Sequence, residues 1–150
     1  MELEEDAHGQ QIIRYYNGKR SFSVVERDDG YVNLDEDEAN RYLSSYKRWK
    51  KHEKDAIKYA RGRCLDVGCA AGRVPIYLQK KGLYCLGIDI SPLAIKVCRL
   101  RGVKYCKVMS IADIGKLRGG LFDTVIMFGI IPGSSAVGEK QSLCSESSIE

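Results

Sequence analysis

The spacing of apolar positions along the chain changes at Arg63. From there to Gly129, short apolar runs alternate with stretches in which apolar positions recur every three or four residues. This alternation is typical of strand–helix–strand units that build a parallel sheet. The fold class is therefore expected to be α/β, with helices flanking a parallel sheet. The four predicted strands cover residues 64–67, 83–88, 103–108 and 122–128.

Two helices are predicted between the first three strands, and both have recognisable ends. The first begins near Gly72, tolerates Pro75 in its first turn and stops at Gly82. The second has Ser91 as its N-cap, followed directly by a proline, and ends before Gly102. A short helix or turn is expected between the third and fourth strands.

The first 62 residues carry a different pattern. Residues 22–25 and 31–34 are rich in β-branched and aromatic side chains, and the Asp-Gly pair at 29–30 favours a turn between them, so we expect a β-hairpin. Asp35 can cap a following helix, because apolar positions then recur at mostly helical spacing as far as Ala60. One long helix or two short ones would fit this spacing.

Periodicity is lost after residue 129. Residues 130–150 are rich in serine and follow neither strand nor helix spacing, which predicts an irregular tail. We favour a frameshifted or truncated reading frame as the origin of this tail. The expected organisation is a hairpin and helical extension at 1–62, a core at 63–129 and the tail at 130–150.

Composition narrows the class of protein. A chain of 150 residues with 44% hydrophobic residues can bury a core as one domain. The formal net charge of +4 is too mild for a dedicated nucleic-acid binder. No apolar run approaches the roughly 18 residues of a membrane span, and the acidic N-terminus is unlike a signal peptide. We therefore expect a cytoplasmic protein with no membrane partner.

One face of the region before residue 60 is strongly basic. Such a face is usually just solvated, which is the interpretation we favour, although attraction of an anionic substrate such as RNA stays open. The residues of this face are Lys47, Arg48, Lys50, Lys51, Lys54 and Lys58.

The six cysteines form no CxxC pair and the two histidines lie far from them in sequence, so no metal site is expected. Cys64, Cys85 and Cys106 fall on successive predicted strands, and a disulfide there is conceivable in a hyperthermophile. We favour small, buried, hydrophobic side chains in a reducing cytosol.

The segment Leu65–Arg73 (LDVGCAAGR) joins the first strand to the first helix. At such a place glycines let the backbone approach a nucleotide cofactor and a helix N-terminus offers N–H groups. Glycine or alanine occupies every second position here, whereas a dinucleotide turn has glycine first, third and sixth. Because the sixth position is Arg73, NAD or FAD is the weaker alternative, and a tight turn without a ligand is a further alternative that we disfavour.

Three carboxylates follow predicted strands at the edge where ligands bind. Asp66, at a buried strand end, needs a polar partner such as a cofactor ammonium or an ordered water. Asp89, roughly 20 residues past the glycine turn, can accept both ribose hydroxyls. Asp113 follows the third strand and could accept the amine of an adenine lying against Ile90 and Ile111.

Together with Gly87–Pro92 (GIDISP), the glycine segment resembles the first two motifs of class I S-adenosylmethionine-dependent methyltransferases. The resemblance extends over about residues 63–129 and implies a Rossmann-like fold, S-adenosylmethionine as the cofactor and methyl transfer as the activity. Ala70 stands where many members carry glycine. The cofactor-binding residues implied by the resemblance are Asp66, Gly68, Cys69, Ala70, Gly72, Asp89, Ile90, Ala112 and Asp113.

The family's sheet has seven strands, in the order 3-2-1-4-5-7-6, of which four are predicted here. We therefore expect a fold that is incomplete in its C-terminal half, with an exposed edge on strand four that favours self-association. No catalytic group is identifiable. The acceptor is undefined, and a small molecule is expected rather than a protein or RNA. A non-catalytic fragment that at best binds the cofactor is the alternative, and a nicotinamide-dependent oxidoreductase is the third option.

Overall fold

The computed structural model describes residues 5–35, 38–128 and 140–142. Within these ranges no helix has the length and apolar character needed to cross a membrane. The helices are α1 (Ala7–Tyr16), α2 (Glu38–Leu43), α3 (Lys51–Ala56), α4 (Arg73–Lys80) and α5 (Pro92–Leu100), with 3₁₀ turns at Tyr46–Arg48, Ile57–Tyr59 and Ile111–Lys116. The strands are β1 (Ser23–Glu26), β2 (Val32–Asp35), β3 (Arg63–Val67), β4 (Tyr84–Asp89), β5 (Cys106–Val108), β6 (Thr124–Ile126) and β7 (Lys140–Ser142).

The larger sheet has four parallel strands in the order β5-β4-β3-β6. The predicted α/β class, with a parallel sheet and flanking helices, is confirmed. Because all four strands run the same way, their carboxyl ends meet at one edge of the sheet, which is where open α/β sheets bind ligands.

The third and fourth strands are shorter than predicted. The expected start at Val103 was wrong because this residue lies in the turn that follows α5, where its N–H donates to the carbonyl of Cys98 at 3.0 Å. The next N–H, from Lys104, donates to the side chain of Gln79 at 3.0 Å. Pairing with β4 therefore begins only at Cys106, opposite Gly87.

The second sheet contains the predicted hairpin. β1 pairs antiparallel with β2, and Gly30 has a φ of 82° in the connecting turn. The prediction that 130–150 is wholly irregular was wrong, because β7 pairs antiparallel with the other side of β1. Its sequence, Lys-Gln-Ser, has no apolar alternation, so main-chain hydrogen bonding supplies the pairing. Residues 129–139 and 143–150, and with them the rest of the predicted tail, lie outside the described residues.

The N-terminal region contains one helix that the pattern did not predict. α1 begins after Asp6, whose side chain accepts a hydrogen bond from the N–H of Gly9 at 2.8 Å. Between the hairpin and residue 60, the second of the two predicted arrangements is correct: α2 and α3 are separate short helices. Asp35, which was expected to cap a helix, is the last residue of β2, and α2 begins at Glu38; residues 36 and 37 lie outside the described residues.

The sheet is covered on both faces. α4 and the segment around Trp49 and Ile57 pack on one face, against Cys64 and Cys85. On the other face, Leu65, Val67 and Ile88 pack against residues that follow β5 and β6. The five described cysteines are free thiols, and Cys64 and Cys85 are buried core side chains as interpreted, whereas Cys106 is only half-buried.

Candidate functional site

The loop from Gly68 to Gly72 connects β3 to α4 at the carboxyl edge of the sheet. Gly68, Ala70 and Gly72 have φ values of 71°, 45° and 78°, so every second residue lies in the left-handed region. The N–H groups of Gly68 and Cys69 both donate to the carbonyl of Ile88, at 2.8 and 3.0 Å, which ties the loop to β4. The spacing noticed in the sequence therefore reflects an alternation of backbone conformation.

Gly72 also allows close packing between the loop and α5. A Cβ at this position would lie 2.6 Å from Cγ2 of Val103 and 2.9 Å from Sγ of Cys98. Both distances are shorter than a van der Waals contact between these atoms. Glycine at the start of α4 is thus required by backbone conformation and by space at once.

Asp89 ends β4 and holds the loop through its side chain. Its Oδ2 atom accepts a hydrogen bond from the N–H of Ala70 at 2.8 Å, and Oδ1 accepts one from the N–H of Ser91 at 2.9 Å. Sequence reasoning placed this carboxylate at the ligand edge but missed its contact with the loop. Each carboxylate oxygen has a second lone pair, so both can accept a further bond from a ligand.

Asp66 lies at the end of β3 and is only 2% exposed. Burial raises the pKa of its carboxyl well above the usual range, the nearby Arg73 guanidinium opposes this shift and the Asp89 carboxylate adds to it. Protonation of this carboxyl is therefore easier than that of an exposed aspartate. A cation that approached it would favour the ionised form instead.

Ile90, Ala112 and Asp113 lie beside the carboxyl ends of β4 and β5. The N–H of Met109 donates to the carbonyl of Asp89 at 2.8 Å, which keeps the two strand ends together. Ile90 and Ile111 are 55% and 52% exposed, which makes this part of the edge apolar. The Asp113 carboxylate contacts the ammonium of Lys116 at 2.6 Å.

Sequence reasoning missed the ion pair between Arg73 and Glu53. The guanidinium makes two contacts with the carboxylate, one of them 3.2 Å long between Nη1 and Oε2, and lies 5.0 Å above the ring of Trp49. The hydrogen bond from Arg73 lowers the pKa of Glu53. The pair links α3 to the first residue of α4. Its only signal in the sequence was an arginine at the position where a dinucleotide turn has glycine.

The N-terminal helices pack directly on the loop, another feature that the sequence did not predict. Ile12 of α1 and Tyr42 of α2 lie in one apolar cluster with Ala70 and Ala71. The guanidinium of Arg101 joins these parts by donating to three backbone carbonyls, those of Tyr42, Leu43 and Ala71. One side of the loop is thereby covered, and the side toward β4 and β5 carries the exposed apolar residues. Among the described residues, no group of histidines, cysteines and carboxylates could hold a metal ion.

Comparison with known proteins gives consistent results. A family model described as a methyltransferase domain matches residues 65–134. The crystal structure of a SAM-dependent methyltransferase from Bacteroides fragilis, in complex with S-adenosyl-L-homocysteine, is 29% identical with a TM-score of 0.73. That match covers 83% of this chain and 51% of the solved one.

Curated relatives match a shorter part of the chain. A ubiquinone biosynthesis O-methyltransferase from Xanthomonas oryzae pv. oryzae is 31% identical over 89 residues, 54% of this chain and 37% of the relative. An ATP synthase lysine N-methyltransferase of Homo sapiens is 28% identical over 78 residues, 49% of this chain and 34% of the relative. The chain therefore spans little more than a third of the length of these relatives. Its parallel sheet, flanking helices and glycine loop, together with these matches, make the chain similar to class I S-adenosylmethionine-dependent methyltransferases.

Proposed function

We propose that this chain binds S-adenosylmethionine and transfers its methyl group to an acceptor nucleophile. The observation that carries the proposal is the loop at the end of β3, with its three left-handed residues and the Asp89 carboxylate beside it. The methyltransferase of similar fold from Bacteroides fragilis was solved with S-adenosyl-L-homocysteine, the product form of this cofactor. Residues 38–128 supply backbone, carboxylate and apolar groups at one edge of the sheet, which suits a ligand with amino-acid, ribose and adenine parts.

Each part of the cofactor has a proposed set of partners. The amino-acid part would lie over the loop, against Asp66, Gly68, Cys69, Ala70 and Gly72. The ribose hydroxyls would donate to Asp89, whose two oxygens each keep a lone pair after binding the N–H groups of Ala70 and Ser91. Adenine would lie against Ile90 and Ala112, with its amine toward Asp113. Exposed isoleucines at an otherwise polar edge support this last assignment.

Methyl transfer from this cofactor requires little chemical participation by the protein. The acceptor's lone pair forms a bond to the methyl carbon as the carbon–sulfur bond breaks, and the cofactor carries the reactive group. Binding and alignment of the two reactants supply the acceleration. We accordingly assign no general base.

For the acceptor we propose a small molecule rather than a protein or RNA. The mild net charge of +4 supports this choice against RNA, which is bound mainly through dense positive charge. A methyl-transfer assay with S-adenosylmethionine would compare a catechol, a lysine peptide and an RNA oligonucleotide at equal concentration. Product from the catechol alone is expected, and product from the peptide or RNA alone would contradict the choice.

A second candidate is a non-catalytic chain that only binds the cofactor. It is favoured by the finding that the match covers 51% of the solved methyltransferase. Thermal unfolding with S-adenosylhomocysteine, run beside the methyl-transfer assay, separates the options. A raised Tm with turnover supports the enzyme and a raised Tm without turnover supports the second candidate. A rise with NADH instead would favour the nicotinamide-dependent oxidoreductase.

We also propose that the outer edge of β6 pairs with a second copy of this chain, in the cytoplasm. In the described part of the chain, β6 pairs with β3 on one side only, and Val125 is 58% exposed. Unpaired apolar edges favour association. Sedimentation velocity should show a dimer that Val125→Lys disrupts, and a monomer at every concentration would contradict this.

The proposed location in the cytoplasm has a separate basis. Five free thiols among the described residues support a reducing compartment.

A further inference from the structure

Three cysteine thiols lie together beneath the glycine loop. Cys69 belongs to the loop, Cys98 to α5 and Cys106 to β5, and all three pack in one cluster. The Sγ atoms of Cys69 and Cys98 are 3.9 Å apart. Nothing in the proposed methyl transfer uses these thiols.

The surroundings hold the first two thiols in contact. Gly87 has no side chain, and Sγ of Cys69 fills the space above it, 2.8 Å from where a Cβ would stand. The Cys98 thiol donates to the carbonyl of Ala70 at 3.0 Å, so it touches the loop at a second point. A disulfide needs its sulfur atoms about 2.05 Å apart, so the two Sγ atoms, now 3.9 Å apart, would have to approach each other by roughly 2 Å to form one.

Cys106 is the most exposed of the three thiols. Cys69 and Cys98 are 3% and 0% exposed, whereas Cys106 is half-buried on β5, an edge strand of the described sheet. Cys106 also faces Gly87 in the strand register, beside the space that Cys69 fills. Burial and then the neighbouring Cys98 thiol raise the pKa of Cys106, which lowers its thiolate fraction and slows its reaction with peroxide, so the assignment rests on the packing of the three thiols and on the exposure of Cys106.

We propose that these thiols are an oxidation site, at which hydrogen peroxide converts Cys69 and Cys98 to a disulfide by way of Cys106. The Cys106 sulfur attacks the peroxide, an S–O bond forms as the O–O bond breaks, and water leaves. The Cys98 sulfur then displaces the hydroxyl of the Cys106 sulfenic acid as a second water. Attack of Cys69 on the Cys98 sulfur releases the Cys106 thiol again. Two thiols are oxidised in total and one peroxide is reduced to two waters.

The disulfide would pull the loop toward α5 and away from its present conformation. Since the amino-acid part of the cofactor is proposed to bind this loop, oxidation should weaken cofactor binding, and bound cofactor should slow oxidation. These two effects rest on the proposed function, whereas the disulfide itself does not.

The experiment uses the full chain with Cys144→Ser, because Cys144 lies outside the described residues. After treatment with hydrogen peroxide and alkylation, peptide mass spectrometry should find Cys69 linked to Cys98. Cys106→Ser should slow this linkage at least fivefold, and Cys85→Ala, which removes a buried thiol outside the cluster, should not. S-adenosylhomocysteine should slow it at least tenfold, and linkage should weaken binding of S-adenosylhomocysteine at least tenfold until dithiothreitol restores it.

Several results would overturn the inference. One is peroxide oxidation that stops at Cys106, with no linked peptide. Another is an equal linkage rate in the Cys106→Ser protein. If the reduced protein fails to bind S-adenosylhomocysteine while the linkage still forms, the proposed function fails and the oxidation site stands. If the reduced protein binds but no linkage forms, the oxidation site fails alone. The mapping needs no cluster variant, so it does not depend on how the substituted proteins fold.

Discussion

The carboxylate of Asp6 accepts a hydrogen bond from the hydroxyl of Ser91, 85 positions further along the chain, at 2.8 Å. The same Oδ2 atom accepts the N–H of Leu93 at 3.0 Å, and Oδ1 accepts the N–H of Gly9 at 2.8 Å. One buried side chain thus serves the first turns of both α1 and α5. Because the N–H of Ser91 also donates to Asp89, this contact connects the N-terminal segment to the candidate ligand edge.

Asp6→Ala should lower the free energy of unfolding by about 1–4 kcal/mol, since Asp6 serves two helix starts and each helix cap contributes about 0.5–2 kcal/mol. Urea unfolding followed by circular dichroism would measure this. Asp28→Ala, at an exposed aspartate of the hairpin turn, is the control and should stay within about 0.5 kcal/mol of the parent. Equal losses in the two variants would contradict the double capping role.

Gly72→Ala should destabilise the protein more than Gly82→Ala. The two glycines have nearly the same φ, 78° and 80°, so both substitutions carry the left-handed strain of about 1–2 kcal/mol. Only at Gly72 would the new methyl collide with neighbours, whereas nothing lies within 4 Å at Gly82. The collision should add about 1–3 kcal/mol. The difference in unfolding free energy between the two variants measures the cost of this collision. A difference near zero would show that the loop can move to accommodate the added methyl group.

Glu53→Gln should destabilise the protein by about 1.5–3 kcal/mol at neutral pH, the scale of a hydrogen bond between charged groups. The pKa of Glu53 is lowered by Arg73, so the ion pair stabilises the fold above the carboxyl's ordinary pKa of 4.5. That contribution is lost as the pH falls through the lower value in the folded protein. Unfolding curves of parent and variant should therefore converge in acid.

Asp55→Asn is the matched control for this pair. Asp55 contacts Lys51 and Lys58 at 2.8 and 2.9 Å on an exposed surface, so its loss should change stability less than Glu53→Gln does. An equal effect at both positions would mean that burial of the Arg73 pair adds nothing.

Asp66 should make cofactor binding depend on pH. Burial raises its pKa in the free protein, and the cofactor's ammonium should favour the ionised carboxylate, so binding releases a proton. Affinity for S-adenosylhomocysteine should therefore increase as pH rises from 5, by up to about tenfold per unit, until the raised pKa is passed. Calorimetric titrations from pH 5 to 8 would measure the slope. Asp66→Asn should flatten it, and a slope that persists in this variant would assign it to another group.

The sequence predicted those parts of the molecule whose cause is local. Strand and helix periods placed β3, β4, α4 and α5, and the alternating small residues of the loop matched its alternating left-handed backbone. It also placed Asp89 at a strand end, because the N-cap Ser91 and the proline after it mark the start of a helix and therefore the end of the strand before it.

Features that depend on distant contacts were missed. α1 is a short helix whose position depends on a hydrogen bond between Asp6 and Ser91, far apart in the chain. The Arg73–Glu53 pair joins residues 20 positions apart on different helices. β7 has no strand pattern and is added by main-chain pairing with β1. In each case the stabilising partner is far away in the sequence, whereas periodicity and capping patterns involve only residues a few positions apart.

The most direct test of cofactor binding at this edge is a calorimetric titration of S-adenosylhomocysteine into the full chain and its Asp89→Ala variant. The parent should bind one equivalent, and the variant should bind about 5- to 150-fold more weakly, which corresponds to the roughly 1–3 kcal/mol expected for loss of this acceptor. Circular dichroism would establish that the variant is folded. Absence of binding to the parent, or equal affinity in a folded variant, would contradict the account.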